Sequence, residues 1–424
     1  MPDNSYTQVS QSNWFSRIGT SFKGMGFGLL LLALATGLLY WNEGRAVRTG
    51  DAIGEAQRVA VAMPSAATID PAFNGKLVHV SGQATTKDMV SDPLFGVAAN
   101  AISLVRKVQY YQWVEKSKSE TQQKMGGGEE TITTYTYEQK WVDKPVDSQD
   151  FNQPQRYRNS VNLQTEKGQW YAALVQLGAY RLPEFLLRSM SGAVPQDTGL
   201  SEAEQEALHH KLFPDSSLAA SAVSAPGYRH NRAYAAAGQE QDRSPMVQVR
   251  GNTLYLGRDM DKPNIGDVMV SFFVVPQAEV SIIAQVIGDT FEPFRAANGT
   301  SFSSLRMGVL GMDNMFEDAK KANTTLTWIL RVIGILLAIG GLKMLIAPLQ
   351  VLASVVPLLG RIVGAGSGLV ASLLGLSWSC LIIALAWLRF RPMLALGLLA
   401  VAVVLVALLF FKGKKSAVKL ETGV

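Results

Sequence analysis

Hydrophobic positions along this chain follow two regimes. Near the N-terminus, GMGFGLLLLALATGLLYW (24–41) is apolar on every face of a helix and carries no charge. Three more long apolar stretches crowd the C-terminal end, at 325–346, interrupted by Arg331 and Lys343, and at 362–388 and 393–411. As a helix, 24–41 would reach roughly 27 Å, close to the ~30 Å apolar thickness of a bilayer. The pattern therefore predicts four transmembrane helices, one N-terminal and three C-terminal. Tyr40 and Trp41 close the first with aromatic anchors. This run is long for the core of a secretory signal peptide, and WNEGR after it lacks a small-residue cleavage site, so it reads as an uncleaved anchor. The connection 347–361 contains PLQVLASVVPLLG, apolar but bounded by prolines. It is too short to cross and is expected to lie in the interface.

Between the first two apolar stretches, 42–324 shows the alternation of a folded polar domain. RKVQYYQWVEKSKSE (106–120) and TITTYTYEQKWVD (131–143) flank the glycine turn QQKMGGGEE, which predicts a long β-hairpin. GKLVHVS (75–81), GDVMVSFFVV (from 266) and EVSIIAQVIGD (to 289) read as strands, and Val280, Ile282, Ala284 and Val286 share one face of the last. The period turns helical over 183–212, and 215–245 is rich in Ala, Ser and Gly without a period. A charged helix at 312–323 leads back to the membrane. The expected architecture is an α+β integral membrane protein with a large strand-rich domain outside the cytoplasm.

Composition supports this division. Charged residues make up 17% of the chain, against about 25% in an average soluble domain. The net charge of +5 reflects topology: Lys412, Lys414, Lys415 and Lys419 follow the last apolar stretch, Arg17 and Lys23 precede the first, and Lys343 and Arg361 flank the second-to-third connection. The positive-inside rule puts all of these, with the tails 1–23 and 412–424, in the cytoplasm, and Arg389 and Arg391 stand against it. No basic stripe with interleaved aromatics points to nucleic acid. A single cysteine, Cys380, excludes an intrachain disulfide.

Candidate chemistry is sparse. His209 and His210 are adjacent and cannot chelate as an i, i+4 pair would, and no nucleophile elbow or phosphate loop occurs. Asp267 and Asp289 follow glycines and read as turn residues. No catalytic, metal or cofactor residue is assigned. Three groups remain. Trp41, Asn42, Glu43 and Arg45 form a membrane junction, in which Glu43 and Arg45 could pair with each other or with the base of the domain. Arg331 and Lys343 are charges within the second apolar stretch, roughly 18 Å apart along a helix. They are expected to snorkel to opposite interfaces, with a hydrated cavity or an acidic lipid headgroup facing one of them as the alternative; the last three apolar stretches contain no carboxylate, which argues against a proton relay. Gly360, Gly364, Gly368 and Ser372 make a small-residue ridge for helix packing or self-association, with Ser367, Ala371 and Gly375 beside it.

The chain also resembles the transmembrane protein 43 (LUMA) family. The resemblance rests on WNEGRAV (41–47), YQWVE (111–115), TYTYEQKW (134–141), DSQDF (147–151), GDVMVSF (266–272), VIGDTFEPF (286–294), TWILRVIG (327–334) and RFRPMLAL (389–396), in that order. Where the family carries Gly-His-x-Asn-Pro, this chain has RYRNS at 156–160, so no role of that histidine transfers. The resemblance implies four spans with both ends cytoplasmic, no enzymatic residues, and a scaffold or envelope organiser. An oligomeric ion channel or transporter is the alternative. Implied partners are membrane lipids, further copies of the chain and other membrane or envelope proteins. The glycine- and alanine-rich insertions suggest a prokaryotic member in a bacterial inner membrane; a eukaryotic one would sit in the endoplasmic reticulum or inner nuclear membrane.

Overall fold

The computed structural model describes residues 4–213, 246–355, 357–393 and 395. The segment 215–245, the basic tail 412–424 and all but the first residues of the expected span 393–411 lie outside them. Three described helices are long and apolar enough to cross a membrane.

The fold is built on two helices far longer than the apolar runs inside them. α1, Trp14–Val59, has 46 residues and is roughly 69 Å long. The Asn13 side chain caps it by accepting from the Ser16 amide at 2.8 Å. α1 takes in the apolar segment 24–41 and runs beyond it at both ends. Within the domain lies α2, Glu202–Leu212, whose Ser201 and Glu204 form a capping box. Helical structure was expected throughout 183–212, but outside α2 it is confined to one turn, Glu184–Leu187, with a short strand at Val194–Pro195. Gly192 and Gly199, both at positive φ, break the run.

α3, Met312–Ala353, has 42 residues and lies antiparallel to α1 along its whole length. Contacts run from Lys320 on Gln57 at one end to Trp14 on Val351 at the other. α3 continues through Pro348 to Ala353, so most of the expected interfacial connection is helix. In an apolar setting the backbone has no water to satisfy it and stays helical wherever it can. After a tight turn at Ser354, α4, Pro357–Phe390, returns against α3.

The domain holds two large sheets among the described residues. β1 (Ser5–Ser12), β2 (Leu77–Thr85), β3 (Ser103–Gln123), β4 (Glu129–Val142), β5 (Met246–Arg250), β6 (Thr253–Gly257), β7 (Val268–Val275), β8 (Ala278–Ile287) and β9 (Ser304–Met307) are the strands that matter here. The first sheet has the order β1–β4–β3–β7–β6–β5, with short strands added at Gly168–Tyr171 and Val194–Pro195. The expected hairpin is β3–β4, turning through Gly126 and Gly127 at positive φ. The second sheet is centred on the antiparallel pair β2–β8, with β9 on the far side of β8.

The main core lies between the sheets. On β7 Val268, Val270, Phe272 and Val274 point inward at alternate positions, and on β8 Val280, Ile282, Ala284 and Val286 do the same. β8 is also buried on its other face. Ile283 packs with Leu77 against Ile53 and Ala56 of α1 and Met315 and Phe316 of α3. The domain thus sits on the same two helices that carry the apolar spans.

Candidate functional site at the helix junction

WNEGR falls in mid-helix, where α1 leaves its apolar segment. Helical spacing turns Asn42, Glu43 and Ala46 toward α3 and leaves Trp41 half exposed. Opposite them α3 presents Asn323, Thr327 and Arg331, successive turns of one face. Glu43, with no exposed surface, takes a two-pronged ion pair from Arg331: Nε donates to Oε1 at 2.6 Å and Nη2 to Oε2 at 2.8 Å. Trp387 of α4 donates its indole N–H to Oε2 at 2.9 Å. The guanidinium lies 4.8 Å from the Trp328 ring centre and 5.9 Å from that of Trp387. One carboxylate therefore ties α1, α3 and α4 together.

A polar ladder continues one turn toward the domain. Asn42 donates to the Thr327 carbonyl at 3.0 Å. Arg45 donates to Asn323 Oδ1 and Thr327 Oγ1, each at 2.9 Å, and more loosely to Asn42 Oδ1. Asn323 donates back to the Ala46 carbonyl at 2.9 Å. On the other side, Gly44 admits the Phe390 ring so closely that an added Cβ would stand 2.7 Å from it.

The junction residues are thus brought together, but with partners the sequence did not indicate. Glu43 and Arg45 pair neither with each other nor with the domain base. Arg331 does not snorkel: its carboxylate comes from α1, outside the last three apolar stretches. Two signals could have found it, a buried-side Glu at the end of one apolar helix and an Arg near the start of another. Lys343 is exposed and has no ion pair among the described residues.

Close helix approach also uses other glycines than the expected ridge. A Cβ on Gly28 would lie 2.7 Å from the Gly341 carbonyl oxygen, and one on Gly341 would lie 2.7 Å from that of Gly28. Gly334 receives Leu39, and Gly375 receives Ile339 of α3. A side chain on Gly368 would meet nothing within 4 Å, while Ser372 donates back to the Gly368 carbonyl. The surroundings of Gly360 and Gly364 lie outside the described residues.

The junction can lock helices: the polar side-chain atoms of Glu43 and Asn42 are all committed within it, and Arg331 commits Nε and Nη2. Elsewhere, buried Asp267 accepts from the Asn264 amide at 2.7 Å, from Asn162 at 3.0 Å and from the Tyr255 hydroxyl, so it organises the β6–β7 turn. Burial pushes its carboxyl above the usual range, and the hydrogen bonds only partly offset this. A cleft of about 1000 Å³ beside β3 and β7 is lined by Lys107, Asp143, Lys144, Glu166 and Lys167, of mixed charge. Among the described residues no three metal-ligating side chains converge.

The family description for transmembrane protein 43 matches residues 110–392 of the chain. The chain belongs to the transmembrane protein 43 family. The human transmembrane protein 43 is 27% identical over 413 residues, covering 97% of this chain and 95% of the human protein. The mouse protein is 27% identical over 404 residues, at 95% and 93% coverage. A transmembrane protein 43 homolog of Drosophila melanogaster is 26% identical over 383 residues, at 88% and 90%. No solved structure matches. Family membership and the apolar helices make this an integral membrane protein. The stretch matched to the family holds Arg331, Trp387 and Phe390, and the full-length similarity to the human protein takes in Glu43 as well.

Proposed function

We propose that the chain is a non-enzymatic membrane scaffold whose large extracytoplasmic domain and helix bundle act as one rigid body to hold other envelope or membrane proteins in place. The observation that carries this reading is mechanical. α1 and α3 pass unbroken from their apolar segments into the core beneath β8, and the Glu43–Arg331–Trp387 cluster clamps them where they leave the membrane. A domain hung on a flexible linker could not transmit position or force across this boundary, whereas two paired helices can.

Chemical crosslinking of the full chain in its own membranes tests the reading. Proteins bound to the domain and proteins bound to the bundle should appear in one complex, and Arg331→Leu should separate them. Ion flux through the purified protein alone in liposomes, with no co-assembled proteins recovered from crosslinked membranes, would overturn the scaffold in favour of a channel.

A further inference from the structure

The outer half of β3, with β4 and β1, forms a three-stranded arm that reaches well beyond the domain. β1 pairs antiparallel with β4 from Ser5 opposite Thr136 to Ser12 opposite Glu129. The arm's tip docks at the N-terminal end of α1. Arg17 bridges Glu129 at 2.6 Å and donates to Ser354 and to the Gly127 carbonyl, and Gly126 donates to the Val355 carbonyl at 3.2 Å. The arm's root belongs to a domain that grips the other end of the same helix: Asn298 donates to the Arg48 carbonyl, and the Ala297 amide donates to Glu55. The apolar segment 24–41 lies between these two ends. Strand geometry gives about 23 Å from Lys116 to the strand end at Gln123, and the turn through Gly126 and Gly127 carries the arm on to the level of Arg17, so it runs along most of a bilayer core of ~30 Å.

Tyr6, Val9 and Met125 are exposed on the arm, but most of its surface is polar and does not suit lipid. Residues 116–122 of β3 are all exposed. Among the described residues the outer edge of this stretch has no neighbouring strand, and β4 is the one strand that pairs with β1. An open sheet edge in hydrocarbon leaves backbone groups unsatisfied at several kcal/mol each, so spanning structures are helices or closed barrels unless they border water or protein. The faces also differ. Lys116, Lys118 and Glu120 project from one, while Ser117, Ser119 and Thr121 project from the other, where Ser119 bonds Thr133 and Thr121 bonds Thr131. Glu129, which meets Arg17, lies on the hydroxyl face, so that face is turned to the bundle and the charged face away from it.

We propose that this arm runs through a water-filled space at membrane depth, walled off from lipid by further copies of this chain. One chain supplies a three-stranded polar wall and, beside it, a layer of helices with exposed apolar side chains: Leu30 and Leu34 of α1 and Leu336 of α3 are all half exposed or more. Copies arranged around a common axis would turn the apolar layer to lipid and the charged arm faces inward, and would bring the β1 side of each arm toward the outer β3 edge of the next. The inference concerns hydration and enclosure, and stands apart from the scaffold reading.

Cysteine chemistry on the full chain in sealed membrane vesicles tests it, in a Cys380→Ala background. Thr7→Cys with Thr134→Cys, which are register partners, should form a disulfide within one chain under mild oxidation. Ser16→Cys and Lys76→Cys should label from opposite faces. Lys118→Cys should react with a membrane-impermeant maleimide as fast as Ser16→Cys, while Leu30→Cys stays unreactive. In lipid nanodiscs the particle should contain several chains. Four results would each overturn the proposal: Thr7→Cys and Thr134→Cys labelling from opposite faces without a disulfide; Ser16→Cys and Lys76→Cys labelling from the same face; Lys118→Cys as unreactive as Leu30→Cys; or a single chain per nanodisc with Lys118→Cys reactive.

Discussion

Glu43 is the residue on which the helix junction turns. A buried carboxylate is tolerated only when charge and hydrogen bonds meet it, and Arg331 and Trp387 supply both. Removing either charge leaves the other stranded. Glu43→Leu and Arg331→Leu should each cost about 3–5 kcal/mol, and the double variant should recover most of that loss. Thermal melts of the three variants in one detergent check this, and equal additive losses would show that the pair is not coupled. Asp267 provides a second test, set by pH. Its folded carboxyl titrates above the usual range, so the native state holds the proton more tightly than the unfolded chain. The associated stability is fully present below the unfolded value and is lost as pH rises through the folded one. Asp267→Asn should flatten the pH dependence of domain stability across that window, as read by melts at stepped pH.

At the scale of elements, the α1–α3 pair depends on backbone contact. The carbonyl of Gly341 fills the place a Cβ on Gly28 would need. Gly28→Leu or Gly341→Leu should therefore push the helices apart and lower the melting temperature of the detergent-solubilised chain. Gly368→Leu points into open space and should leave that melt unchanged, so any effect on native gels would report contact between chains. Strand β8 is the other hinge of the design. Ile283→Ala removes a fully buried side chain from the helix–sheet interface and should destabilise by about 2–5 kcal/mol, measured by urea unfolding followed at a domain tryptophan. The hairpin β3–β4 and the β7 and β8 strands were legible because alternation and glycine turns are local signals. The run 183–212 departs from its local signal: its composition favours helix, but Gly192, Gly199 and pairing of Val194–Pro195 with β7 prevail.

At the scale of the whole molecule, two antiparallel helices serve as both membrane anchor and domain pedestal. The apolar windows marked where lipid meets the chain, yet the helices run on to Val59 in one direction and from Met312 in the other. The packing beneath β8 supplies the reason for the extension, since Ile53, Ala56, Met315 and Phe316 bury there. The RYRNS segment shows the same division. No role transferred to it by resemblance, but Tyr157 stacks on Tyr137 with ring centres 3.7 Å apart, and Asn159 bonds the Trp113 backbone on both its amide and its carbonyl.

By itself the sequence determined the apolar segments, the strand-rich domain between the first and second, the long hairpin and the family. Each of these is written in short-range periodicity or in ordered motifs. Tertiary structure decided which charge meets which, which glycines carry helix contact, and that the polar N-terminal tail becomes a strand on the hairpin. Such pairings join residues far apart in the chain, 288 positions for Glu43 with Arg331 and 337 for Trp14 with Val351. No local pattern encodes them, because burial and partner geometry exist only once the helices have packed.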